Sequence, residues 1–279
     1  MRLLVYTPTY AGGLLGECRG SVLAQQFIGE WEWVIDEDDP FPAPDHRNVL
    51  AKYRRAKGLA LSGGYDALVT VEHDMVLPVD ALAKLASTEA AGVVFGVYVL
   101  RHGSNVLNAW QYKGDRNLGM SLSLFPNELR ILRRAGVGRV SGVGWGCTLI
   151  RREVLERAPF DDGGGDCPAG DIPFALWCLR NKITMMARFD VECGHIEEGR
   201  VLMPTEAINM TKVEALQRVN VLAGGVSVAL EPGQRYVLPD GDALELERAG
   251  YVRRIVIERA VAEPMAETAV AVEGRKRKK

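Results

Sequence analysis

Ala67-Leu68-Val69-Thr70-Val71-Glu72-His73-Asp74 is the stretch that decides the fold. Residues 67–71 form a continuous apolar run of strand-forming side chains, the pattern of a strand covered on both faces of its sheet. Glu72 and Asp74 end that run, and Pro78 then opens a helix with Leu82 and Leu85 one turn apart. The same alternation occurs twice upstream. Leu3–Tyr6 is a short apolar strand that stops at the turn Thr7-Pro8-Thr9-Tyr10, and helical spacing follows from Leu14 to Phe27. Trp31–Ile35 is a second strand, stopped by Asp36-Glu37-Asp38-Asp39-Pro40. Arg47 to Leu61 then reads as a basic helix carrying Lys52, Arg54, Arg55 and Lys57, with Gly63-Gly64 at its end. The order β-α-β-α-β-α predicts an α/β fold with a mostly parallel sheet flanked by helices.

Further along, Val93–Leu100, Leu107–Tyr112 and Cys147–Ile150 read as strands, the last preceded by the loop Gly142-Val143-Gly144-Trp145-Gly146. A glycine-rich acidic loop from Asp161 to Asp171 leads into a helix near Pro173. Thr211-x-x-Glu214 is a capping-box pattern that predicts a helix to about Leu222, closed by Gly224-Gly225. Beyond it, short strand-like runs separated by turns such as Pro239-Asp240-Gly241-Asp242 predict a small β module. The expected division is a catalytic domain over 1–223, a β module over 224–261 and a disordered basic tail over 262–279.

Composition excludes several classes. With 47% hydrophobic and 25% charged residues over 279 positions, the chain can bury a full core and make one or two domains. Its net charge of −2 does not mark a nucleic-acid or membrane-surface protein. The last residues, Arg275 to Lys279, are all basic, so the rest of the chain is more acidic than the total suggests. The longest apolar stretch, Ala90 to Leu100, is too short for a membrane span and is bounded by Glu89 and Arg101. Cys18, Cys147, Cys167, Cys178 and Cys193 form no Cys-x-x-Cys pair, and their spacing with His195 fits no compact zinc motif. No signal-peptide pattern precedes the first strand. A reducing, cytoplasmic setting is the expectation.

Parallel sheets bind ligands at the carboxyl ends of their strands, where this chain places Thr7-Pro8-Thr9-Tyr10, Asp36 to Asp39 and Glu72-His73-Asp74. Two carboxylates flanking one residue at a strand end suit a hard cation, Mg2+ or Mn2+, which keeps positions open for phosphate oxygens. The helix with Lys52, Arg54 and Arg55 offers counter-charge for a diphosphate, or else a solvated face. No Walker-type or Gly-x-Gly-x-x-Gly loop is present, which argues against a kinase or dinucleotide enzyme.

This ordered series, over roughly residues 2 to 200, resembles the GT-A glycosyltransferases, especially the inverting family 2 type. The segments similar to that family are the Pro-Thr-Tyr-like turn, Ser21-Val22-Leu23-Ala24-Gln25, Val34-Ile35-Asp36, and Glu72-His73-Asp74 in the place of its Asp-x-Asp motif. Gly146 to Arg152 resembles its acceptor-side strand, Gly170-Asp171-Ile172-Pro173-Phe174 its base motif, and Gly194-His195 its late histidine. The resemblance implies a GT-A, Rossmann-like fold and a hexosyltransferase-type enzyme that uses a UDP- or GDP-sugar with Mn2+ or Mg2+. It implies that Thr7, Pro8, Thr9, Tyr10 and Asp36 hold the nucleoside, with Lys52 or Arg55 near it. Asp74 and His195 would bind the metal, with Glu72 on the metal or ribose beside His73, and Asp171 would be the general base. Two departures stand out: Glu72 replaces the commoner Asp, and Gly170 stands where Glu is commoner, leaving Asp166 as a rival base.

Asp171 also lies where a helix N-cap would, two residues before Pro173. Trp145, beside Gly144, is either core filler or a stacking platform for the acceptor. The acceptor itself is not legible: DNA, a protein or a glycan all fit, and the β module with its basic tail resembles phage-encoded enzymes. An oligomer is equally open. The rival readings are a nucleotidyltransferase and a non-catalytic carbohydrate or assembly protein on the same fold.

Overall fold

Strand β1 (Arg2–Pro8) sits inside the main sheet, paired in parallel with β2 (Glu30–Asp36) on one side and β3 (Ala67–Val71) on the other. Helix α1 (Gly16–Leu23) joins β1 to β2, and α2 (Arg47–Ser62) joins β2 to β3. The computed structural model describes residues 1–10, 13–42, 45, 47–100, 107–112, 126–161, 170–204, 210–223, 226–239, 243 and 246–255. Asp166, Cys167 and the tail 262–279 lie outside them.

After β3 come the two-residue β4 (Met75–Val76), α3 (Ala81–Ala86) and β5 (Val93–Val97). Next are α4 (Pro126–Ala135), β6 (Val137–Arg139), β7 (Cys147–Arg151) and the short α5 (Arg152–Leu155). Helix α6 (Asp171–Arg180) precedes β8 (Met185–Glu192), β9 (Gly194–Glu197) and β10 (Arg200–Leu202). The central sheet has seven strands in the order β2-β1-β3-β7-β5-β8-β6. Only β7 and β6 run against the others, so the fold is mixed α/β around a mostly parallel sheet. Every residue of β3 and β5 is buried, as expected of strands covered on both faces.

Helix α1 is shorter than its sequence pattern predicts. After Leu23 the backbone turns to the segment before α3, with the Gln26 N–H donating to the Val79 carbonyl (2.8 Å). The Gln25 side chain ties in there as well, donating to the Pro78 carbonyl (2.8 Å) and accepting the Leu82 N–H (3.0 Å). Residues 107–112 make isolated bridges, Val99 to Leu107 and Trp110 to Gly142, in place of the expected ladder.

The larger correction concerns residues 211–222, where a helix was expected. They form β11 (Met210–Ala215) and β12 (Val219–Ala223). β12 makes a hairpin with β13 (Val226–Leu230), and β11 lies between β14 (Arg235–Pro239) and β15 (Val252–Arg254). Val213 and Ala215 alternate with Glu214 and pack with Leu230, Leu238 and Val252 in a small separate core. That period-two burial outweighs the local capping pattern. Strands before and after residue 224 therefore share one core.

Candidate active site

The carboxyl ends of β1, β2, β3, β5 and β8 lie along one edge of the sheet, and β7 begins there. On the β1–β2 side the polar groups are joined to one another. The Thr9 N–H (3.0 Å) and hydroxyl (3.1 Å) both donate to the Asp36 carbonyl, and the Trp33 indole donates to the Thr7 hydroxyl at 3.0 Å. Pro8 stands opposite Asp36 in the register. The Asp36 carboxylate accepts from the Tyr6 hydroxyl on one oxygen, and from Arg55 (2.8 Å) and the Asp38 N–H (3.1 Å) on the other. Burial and the adjacent carboxylate push the Tyr6 phenol well above its ordinary range, so it stays a donor.

The basic side chains of α2 are tied to neighbouring groups, although Arg54 stays exposed and Arg55 and Lys57 are half-buried. Arg54 donates to the Phe160 carbonyl at 2.8 Å and Lys57 to the Ala158 carbonyl at 2.6 Å. Lys52 is fully buried and paired with Asp39 at 2.7 Å. Glu72, at the end of β3, accepts from the Tyr53 hydroxyl at 3.2 Å, and the Tyr10 ring meets the edge of His73 at 5.1 Å.

His195 reaches this edge through a pairing that local sequence does not signal. β4 runs antiparallel to β9 with Met75 opposite His195, and the Ile196 N–H donates to the Asp74 carbonyl at 2.8 Å. His195 Nε2 consequently stands 3.3 Å from Asp74 Oδ2, with both side chains buried. The other ring nitrogen, Nδ1, is 2.7 Å from the Val99 carbonyl, which can only accept, so Nδ1 carries a proton. A neutral imidazole then turns its Nε2 lone pair toward a carboxylate oxygen. That contact is favourable only with a cation or a second ring proton between the two atoms. One imidazole nitrogen and one carboxylate oxygen are two of the ligands a divalent cation needs, with phosphate oxygens or water to complete its shell. Among the described residues no three His, Cys, Asp or Glu side chains converge as a metal cluster, so Glu72 does not join this pair.

Across the edge, Asp171 is the first residue of α6 and Gly170 is the N-cap. The Asp171 Oδ1 accepts the Ile172 N–H at 2.8 Å, and burial raises its carboxyl above the ordinary carboxylate range. Its Oδ2 points to Gly144. A Cβ there would lie 3.1 Å from Asp171 Oδ2 and 2.6 Å from Asn108 Nδ2, and closer still to the Tyr98 hydroxyl, so only glycine fits. Tyr98 also accepts the Gly146 N–H at 3.2 Å and sets its ring edge against His195 at 5.8 Å.

Trp145 is 3% exposed, and Tyr53, Phe160 and Phe174 surround it with ring centroids 4.1–5.7 Å away. It fills core and offers no open face for stacking. The same ring accounts for Gly170: a Cβ at 170 would lie 2.9 Å from a Trp145 ring carbon and 3.1 Å from Leu50 Cδ1.

The sequence reading missed Tyr6, Tyr53, Tyr98 and Asn108. Tyr6 and Tyr98 sit in runs that read as apolar strands and Tyr53 in a helix that read as basic, so the polar tip of the ring was the available signal. Among the described residues Cys18, Cys147, Cys178 and Cys193 are free and buried. Burial pushes the Cys18 and Cys178 thiols up to about 12, which leaves them unreactive.

No family model matches the chain, and no curated protein matches it. Among solved structures the fold is similar to the crystal structure of A197 from STIV. The two share 20% identity and a TM-score of 0.50, over 74% of this chain and 91% of that one. This is a likeness of fold. Among the described residues no helix is long and apolar enough to cross a membrane.

Proposed function

We propose that the chain is a GT-A-type, metal-dependent glycosyltransferase that moves a sugar from a UDP- or GDP-linked donor to an acceptor hydroxyl. The observation that carries the reading is the contact of Asp74 with His195 on the sheet edge that also holds Asp171. In this reading the region of Thr7 to Tyr10, Asp36 and α2 would take the nucleotide. Asp74 and His195 would hold Mn2+ or Mg2+, which offsets the charge developing on the departing nucleoside diphosphate. Glu72, which accepts the Tyr53 hydroxyl, would serve the ribose. Asp171 takes the proton of the incoming hydroxyl, giving inversion at the sugar carbon; its raised pKa makes it a better base than an exposed carboxylate.

Calorimetric titration with UDP and with GDP, each with and without Mn2+, tests the reading. Mn2+ is expected to strengthen binding of one nucleotide, and His195→Ala to remove that effect. If neither nucleotide binds with Mn2+ or Mg2+ present, the reading fails. A donor screen would then identify the sugar by release of nucleoside diphosphate; release of pyrophosphate would instead mark a nucleotidyltransferase.

A further inference from the structure

Lys52 is a lysine with no exposed surface, in a helix that from sequence alone reads as either a diphosphate clamp or a solvated face. A buried ammonium is costly unless its donors are satisfied, so its partners define its role. Its Nζ is 2.7 Å from Asp39 Oδ1, donates to the Thr9 carbonyl, and lies 5.4 Å from the centre of the Tyr10 ring. These three groups belong to the two segments that border the proposed nucleotide pocket: the turn after β1 and the acidic loop after β2.

The neighbouring positions on the same helical face do related work. Asn48, one turn before Lys52, exchanges two hydrogen bonds with the backbone of Phe41, each 2.8 Å. Arg55, one turn after it, bridges Asp36 at 2.8 Å and Asp38 at 3.2 Å. Residues 48, 52 and 55 thus form a rail on which residues 36–41 are seated. Lys52 extends that rail to the β1 turn, whose Tyr10 ring in turn meets His73.

We infer that Lys52 is a positioning residue of the nucleotide pocket, fixing the acidic loop and the β1 turn against each other, and that its ammonium does not touch the diphosphate. The inference rests on the proposed nucleotide-sugar activity and departs from the clamp role that a basic helix suggests. A clamp contributes to diphosphates and not to monophosphates, whereas a positioning residue supports both equally, because it sets the shape of the pocket.

The test is calorimetry of the full chain with UMP, UDP, GMP and GDP in the presence of Mn2+. For Lys52→Met, affinity for the mono- and diphosphate of the bound nucleoside should fall by the same factor, about 10- to 100-fold. Asp39→Asn leaves the lysine in place and should give the same pattern more weakly, which keeps the test valid if the methionine variant does not fold. A loss confined to the diphosphate in either variant overturns the inference in favour of a clamp. Unchanged affinity in both folded variants overturns it as well. If the unsubstituted protein binds none of the four, the proposed function fails and this inference falls with it.

Discussion

The two sides of the candidate site are held by different physics. On the β1–β2–α2 side, charged and polar side chains are bonded to one another: Asp36 to Tyr6 and Arg55, Lys52 to Asp39 and Thr9. On the β7–α6 side, the half-buried Asp171 follows Gly170, which packs on a cluster of Trp145, Phe160 and Phe174 joined by Tyr53 of α2. Desolvation is the main influence raising its pKa. Even the Trp145 indole N–H is buried with no hydrogen-bond partner among the described residues. A cross-linked network holds geometry, and a desolvated carboxylate holds reactivity. The first arrangement suits the part of a site that positions a ligand, the second the part that moves a proton.

The largest expected effect separates these roles. Asp171→Asn should lower sugar transfer by about 100- to 10,000-fold while nucleotide affinity stays nearly unchanged. The same change should stabilise the fold at neutral pH. Burial raises the folded pKa of this acid above its unfolded value of about 4, so the native state holds its proton more tightly than the unfolded chain does. The penalty is absent below the unfolded pKa and grows as pH rises through the folded one. Melting curves should therefore show the Asn variant gaining on the parent with rising pH, then reaching a plateau. Transfer by the parent should fail on acidification at a pH above that of an ordinary carboxylate. Full activity in the Asn variant would move the base elsewhere, with Asp166 next in line.

How much of this could be read from sequence follows the same division. Val71-Glu72-His73-Asp74 was legible because charges that end a buried strand are rarely idle, and Asp36 and Asp171 were legible by position. His195 could be matched by resemblance, but its contact with Asp74 depends on the two-residue β4 pairing with β9, and no propensity signals so short a strand. Asn108 and Tyr98 come to Gly144 from an irregular segment and a strand end that read as apolar. Thr211-x-x-Glu214 misled because a capping box is a local pattern. The partners of β11 lie at residues 235–239 and 252–254, and burial of Val213 and Ala215 against them decides the outcome. The glycine at 170 has its reason in Trp145, which only the packed structure reveals.

That packing gives the next effect in size. Gly170→Ala places a methyl 2.9 Å from the Trp145 ring in a cluster already closed by Phe160 and Phe174. A destabilisation of about 1–3 kcal/mol is expected, read as a lower urea midpoint at unchanged slope. If the alanine variant is as stable as the parent, the apolar side can shift, and the contrast between a rigid and a packed half weakens.

The smallest effect belongs to the network itself. Arg55 bridges Asp36 and Asp38, yet its side chain is 35% exposed, so solvent screens much of the attraction. Asp36 also keeps the Tyr6 hydroxyl and the Asp38 N–H if the guanidinium is removed. Arg55→Gln should therefore cost only about 0.2–1 kcal/mol, shrinking further as salt is added. Lys52, with the same formal charge on the same helical face, is fully buried and has no such reserve. A loss in Arg55→Gln as large as that in Lys52→Met, and insensitive to salt, would mean that the network acts as one cooperative unit. A small, salt-sensitive loss would place the strength of that side in its buried member.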